Sequence, residues 1–112
     1  MLALKNRLKR KKDFDLVFKQ GRSFKQGGLY FRFKPNKLKS SRLGFIVSKK
    51  FSKKAVERNK IKRQLKEIIR NKIGKIKISS DIVITTMPGA ENLEKTIDKA
   101  LKKINESFSK NN

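Results

Sequence analysis

Apolar residues recur along this 112-residue chain in short blocks whose period switches between that of a helix and that of a strand. Phe14, Val17 and Phe18 stand at i, i+3 and i+4, which puts them on one face of a short helix over residues 13–21. Asp13 suits its N-cap and Gly21 its C′ position. Gly27-Gly28 marks a turn, and LYFRFK (29–34) then alternates. A strand there places Leu29, Phe31 and Phe33 on one face and Tyr30, Arg32 and Lys34 on the other. The turn-rich PNKLKSS (35–41) leads to a second strand, RLGFIVSKK (42–50). In it Leu43, Phe45 and Val47 face a core, with Gly44, Ile46 and Ser48 opposite. So short a connection predicts that the two strands pair as a hairpin or meander.

Ser52 is a candidate cap for a long helix running to about Ile73, with Gly74 suited to its end. At 3.6 residues per turn, Ile61, Leu65, Ile68 and Ile69 fall within an arc of about 100°. Asn59, Arg63, Lys66 and Arg70 fall within about 60° on the opposite side. Arg58 lies on the margin of the apolar stripe, where a guanidinium without a partner is costly to bury. DIVITTMPG (81–89) reads as a mostly apolar strand closed by Pro88-Gly89. A last helix, from about Glu91 to Ser109, carries the stripe Leu93, Ile97, Ala100, Leu101, Ile104 and Phe108. Its outer face mixes both charge signs, as scaffold helices do.

The order helix, strand, strand, basic helix, strand, helix, with room for one further short strand, predicts an α+β sandwich of a small sheet with helices on one face. No internal repeat or linker interrupts it. The expected organisation is a single domain over residues 13–112, preceded by a basic arm, residues 1–12, disordered without its partner.

Charge sharpens this picture. The chain has 32 Lys and Arg against 9 Asp and Glu, a net charge of +23. Residues 1–80 hold 27 basic and 4 acidic side chains, while residues 81–112 hold 5 of each. The excess therefore sits entirely in the first two thirds. Solubility asks for a net charge of only about 2–8, so a polyanion partner, nucleic acid, with salt-sensitive affinity is expected. The chain has no Cys and no His, which excludes disulfides, thiolate metal sites, cysteine nucleophiles and imidazole general bases. No apolar run approaches the ~20 residues of a membrane span. MLALKNRLKRKK is too polar for a signal peptide, so a cytoplasmic location is expected. A membrane-surface role is disfavoured too, because both long helices spend their apolar faces on the core.

Two clusters can carry function. From Arg58 to Arg70 only Glu67 is acidic, and Arg58, Asn59, Lys60, Lys62, Arg63, Lys66 and Arg70 form a dense set of donors suited to phosphates and sugars. The alternative is a solvated helix face, but exposed helices usually intersperse both signs. The second cluster is Phe14, Phe18 and Tyr30 beside Arg32 and Lys34, aromatic faces next to cations that suit stacked single-stranded bases. For the two Phe residues core packing competes with this role. The carboxylates form no cluster like a two-metal nuclease centre, so the chain on its own is not expected to be an enzyme.

NRLKRKKDFDLVFKQGRSF, LGFIVSKK and AVERNKIKRQLKE, in this order within a basic chain, resemble the protein subunit of bacterial ribonuclease P. The resemblance runs from about Asn6 to Phe108. Arg58, Asn59 and Lys60 occupy the places of the family's Arg-Asn-Arg signature. The resemblance implies a ribonucleoprotein that removes the 5′ leader of precursor tRNA. In it the partner RNA performs the hydrolysis with magnesium; no cofactor or metal on the protein, no membrane and no protein partner is implied. It also implies a small mixed sheet whose basic helix lies in a left-handed βαβ crossover, a ribosomal-S5-domain-2-like sandwich. Residue by residue, it assigns Arg58, Asn59, Lys60, Lys62, Arg63, Lys66 and Arg70 to the RNA-binding helix. Phe14, Phe18, Tyr30, Arg32, Ser48 and Lys49 go to a cleft for the leader. The sequence departs from the pattern at three places. Lys60 lacks the second Arg's bidentate fork. Arg32 stands where the cleft Tyr is usual, with Tyr30 two residues earlier. Thr86 and Met87 replace basic residues at the end of the late strand. The competing class is a ribosomal or other structural RNA-binding protein.

Overall fold

The computed structural model describes residues 2–109. Seven regular elements follow in order: α1 (Lys11–Gln20), β1 (Arg22–Gln26), β2 (Leu29–Pro35), β3 (Arg42–Val47), α2 (Ala55–Lys72), β4 (Ser80–Thr86) and α3 (Leu93–Ser109). The strands form one sheet in the order β1-β2-β4-β3. β2 pairs antiparallel with both β1 and β4, and β3 runs parallel to β4.

The expected pairing of β2 with β3 does not occur, because β4 lies between them. β4 is buried along nearly its whole length on both faces, and a continuously apolar strand belongs at the centre of a sheet. The partner β2 finds through a short turn is instead β1, the additional strand. Gly27 and Gly28, at φ +54° and +80°, supply the two left-handed residues of a tight hairpin.

Phe31, Phe33, Leu43, Ile82 and Ile84 face the main core, where Ile61, Leu65 and Ile69 of α2 meet Ile97, Leu101 and Ile104 of α3. A smaller cluster, Leu8, Val17 and Val83 with Phe14 and Ile46 against it, lies on the other face beneath α1. The helices are thus divided between the two faces, not gathered on one. The even-numbered face of β2 and β3 still needs partial cover, and α1's narrow stripe supplies it.

The hand of the β3–α2–β4 crossover follows from the backbone. When a strand of L-residues runs upward, a side chain facing the viewer accompanies N–H and C=O groups that point right. Ser48, on the same face as Ile46, donates its N–H to the Thr86 carbonyl at 3.1 Å, while the Leu43 carbonyl points the other way and accepts from Leu8 N–H at 2.9 Å. Seen from α1's side, β4 therefore lies to the right of β3; seen from α2's side it lies to the left. The crossover is left-handed, as the resemblance implies and against the right-handed rule that holds for about 98% of such units.

Residues before α1 are packed rather than free. Leu2 and Leu8 are buried, Asn6 donates to the Ser41 carbonyl at 2.8 Å, and Arg7 bridges to Leu43. Element ends also shift. α1 is capped by Arg10, with Asp13 inside its first turn, and Gly21 ends it in an extended conformation. Lys54, not Ser52, is the N-cap of α2. Ser52 organises the preceding turn, its Oγ accepting from Lys54 N–H at 3.1 Å and donating to Glu57 at 2.6 Å. At the far end of α2, Lys72 is buried and reaches Asp98 of α3 at 2.6 Å and Glu94 at 3.5 Å.

Candidate nucleic-acid interface

Strand register arranges the α1 side of the sheet in rows. One row is Ser23–Arg32–Val83–Gly44, and the next toward the sheet's far end is Lys25–Tyr30–Thr85–Ile46. α1 lies along the first row. A Cβ on Gly44 would stand 2.4 Å from the Phe14 ring, Val17 joins Val83, and the Arg32 guanidinium is 4.8 Å from the Phe18 ring centre. The second row is left as a half-open floor, with Tyr30, Thr85 and Ile46 partly exposed. On α1's other flank the next row, Lys34–Asp81–Arg42, is closed by ion pairs. Arg42 donates to Asp81 at 2.8 and 2.6 Å and to Asp13 of α1 at 3.3 Å. Those bonds, the pair with Asp81 foremost, hold its guanidinium pKa above the ordinary value. Arg42 thus ties the start of α1 to the sheet, which fixes the wall of the cleft.

Of the residues expected in this cleft, Phe14, Phe18, Tyr30 and Arg32 come together as wall and floor. Arg32 sits between two rings, 4.8 Å from Phe18 and 5.0 Å from Tyr30, and Lys25 stands 5.9 Å from Tyr30. Cations alternate with aromatic faces, each contact of a kind worth about 0.5–1 kcal/mol when exposed. Ser48 and Lys49 lie at the end of β3. The Ser48 hydroxyl accepts from Lys50 N–H at 3.0 Å, and Lys49 is exposed. Sequence reasoning left out Lys25, Ile46 and Thr85. Alternation gave the side-chain direction of Ile46 alone, and only the strand order puts the three in one row with Tyr30.

α2 divides its expected residues. Asn59, Lys62, Arg63 and Lys66 surround a shallow depression with exposed Val56. Lys60 projects about 100° around the helix from Asn59, and Arg70 is ion-paired with Glu67 at 2.6 Å. Arg58, on the stripe margin, is half-buried and donates to the Ser52 carbonyl at 2.9 Å. That bond gives the guanidinium one partner and clamps the turn between β3 and α2.

Among the described residues, no three or more His, Cys, Asp or Glu are grouped to hold a metal ion. No helix among them is long and apolar enough to cross a membrane.

Known proteins share both sequence and geometry with this chain. The sequence model of the family Ribonuclease P matches residues 2–110. The ribonuclease P protein component of Alkaliphilus metalliredigens is 41% identical over 97 residues, covering 86% of each chain. That of Thermotoga maritima is 42% identical over 80 residues, 71% of this chain and 68% of the relative. The solved ribonuclease P protein of Staphylococcus aureus superposes with a TM-score of 0.77 at 30% identity, over 88% of this chain and 94% of the other. The chain belongs to the ribonuclease P protein component family.

Proposed function

We propose that this chain is the RNA-binding subunit that equips the ribonuclease P ribonucleoprotein to remove 5′ leaders from precursor tRNA. In this assignment the basic face of α2 docks on the partner RNA, with Asn59, Lys62, Arg63 and Lys66 as its contacts. The half-open row beside α1 holds the single-stranded leader. Bases lie against Phe18 and Tyr30 and phosphates meet Arg32, Lys25 and Lys49. The hydrolysis and its magnesium ions belong to the RNA, and the cytoplasm is where such a substrate is met.

The observation that carries the assignment is the alternation of rings and cations, Phe18–Arg32–Tyr30–Lys25, along an open floor. A solvated basic surface has no use for half-exposed aromatic rings stacked with cations, whereas a single strand offers a base face and a phosphate at every step. α2 is the complementary case: cations and an amide on a rigid helix, with little aromatic surface, suit the backbone of folded RNA.

The test is reconstitution. The purified chain, added to a bacterial ribonuclease P RNA at low magnesium, is expected to stimulate leader removal from precursor tRNA. Binding of that RNA without stimulation would instead identify a structural RNA-binding protein.

A further inference from the structure

β3 is an edge strand, and the segment before α1 covers only its beginning, through Arg7 and Leu8 against Leu43. Beyond Leu43 the edge opens into a groove of about 250 Å³ between that segment and α2. Its floor is apolar: Leu8, Gly44, Phe45 and the edge of the Phe14 ring. Its rim is cationic, with Arg7 and Lys9 on one side, Lys62 and Lys66 on the other, and no carboxylate lines it. Lys62 and Lys66 also border the depression on α2's basic face, so the two surfaces are continuous.

We infer that this groove receives one unpaired nucleotide of the RNA that lies on α2. The inference rests on that docking and deepens it. The volume is below the roughly 300–1,000 Å³ of pockets for drug-sized ligands, so it takes a single base and not a paired helix. The floor offers two phenyl rings and aliphatic carbon, which accept any base face without hydrogen-bond readout. Gly44 lets the Phe14 ring settle onto the strand, where a Cβ would stand 2.4 Å from it, and so brings that ring's edge to the groove. The four cations around an apolar pit match a base flanked by its own phosphates; a free apolar ligand leaves them without a counter-charge, and an acidic helix, about 10–12 Å across, is too wide for a groove of about 250 Å³. An RNA backbone tracking Asn59, Arg63 and Lys66 passes the groove mouth at Lys62, so the extruded base needs no detour.

Because the chain contains no cysteine, single thiols can carry a short photoactivatable aryl azide at chosen places. Lys9→Cys puts it at the groove rim and Val56→Cys on α2's basic face, each assembled into active holoenzyme with precursor tRNA. The position 9 probe is expected to attach to one or two unpaired nucleotides of the RNA subunit, next in sequence to those attached from position 56. Adding Phe45→Leu, which removes one ring of the groove floor and does not border the depression on α2, should lower the position 9 yield several-fold and leave position 56 nearly unchanged. If position 56 attaches to the RNA subunit but position 9 attaches to paired nucleotides, to the tRNA leader or to nothing, the groove assignment is wrong and the docking of α2 stands. If neither position attaches to the RNA subunit, both are wrong.

Discussion

Replacing Gly44 with Ala tests how tightly α1 is laid on the sheet. The added Cβ would lie 2.4 Å and 2.5 Å from two carbons of the Phe14 ring and 3.4 Å from the Leu8 Cβ. Carbon atoms pack at about 3.5–4.0 Å, so the ring has to retreat by roughly 1.1–1.6 Å. It cannot do so by lifting α1 freely, because Val17 is fully buried beneath the helix and Asp13 is held by Arg42. Overpacking of this kind costs about 1–3 kcal/mol, against a gain of roughly 0.5–1 kcal/mol from replacing a strand glycine. The net expectation for Gly44→Ala is a loss of up to about 2.5 kcal/mol. In a Phe14→Ala background the obstacle is gone, and the same change should be neutral or stabilising by up to about 1 kcal/mol. Urea denaturation of the four proteins gives the coupling as a double-mutant cycle, expected to exceed about 1 kcal/mol. An equal penalty in both backgrounds would show that Phe14 does not rest on Gly44, and the placing of the cleft wall would fall with it.

Tyr30→Ala should weaken binding of leader-bearing precursor to the holoenzyme by roughly 1–3 kcal/mol, the worth of one base–ring stack, and leave mature tRNA unchanged; an equal effect on both ligands refutes the cleft assignment. Lys66→Ala should reduce the slope of log affinity against log salt by about one unit or less, and slopes unmoved by both Lys66→Ala and Arg63→Ala would place the RNA elsewhere. The hydrogen bond from Lys72 holds the Asp98 pKa below the ordinary carboxylate value. Its contribution to stability is therefore present above the usual carboxylate range and lost as pH falls through the lowered folded-state value. Asp98→Asn should flatten the acid limb of urea midpoint against pH, and an unchanged limb would mean that the pair adds nothing.

The sequence made the side-chain direction legible in β2 and β3, since alternation needs only neighbours along the chain, whereas β1 gave no clear strand signal and β4, apolar on both faces, has no alternation to read. It also assigned α2's two faces, including the marginal place of Arg58. What it could not show was which strands touch. β4 enters between β2 and β3 because it is apolar on both faces, a property that raises its claim to the centre without naming its neighbours. The omission of Ile46, Thr85 and Lys25 from the cleft follows directly, since a row across a sheet exists only once the strand order is known. The placement of residues 2–10 failed for a different reason. A run of cations reads as a free arm, and the two leucines that anchor it, Leu2 and Leu8, have no period to betray them. Arg58, expected at the RNA from the donor cluster and from its place in the signature, also clamps the turn before α2 with one of its N–H groups.

The arginines carry more information than the lysines. Lys outnumbers Arg by 24 to 8 in this chain. Six of the eight hold a contact within the protein, and two of these, Arg42 and Arg32, use what an ammonium lacks, a planar fork or a flat face. Arg42 spans Asp81 and Asp13, and Arg32 lies against two rings. Arg58 and Arg7 donate to the Ser52 and Leu2 carbonyls, Arg22 to that of Ser107, and Arg70 to Glu67. Arg10 and Arg63 make no such contact among the described residues. Arg10 is an exposed cap at the start of α1. Arg63 stands exposed on α2's basic face beside Asn59 and Lys66. A guanidinium kept where the protein itself makes no use of it fits the bidentate recognition of a phosphate from outside, and among the cations of α2 that makes Arg63, rather than Arg58, the residue on which RNA docking should depend most.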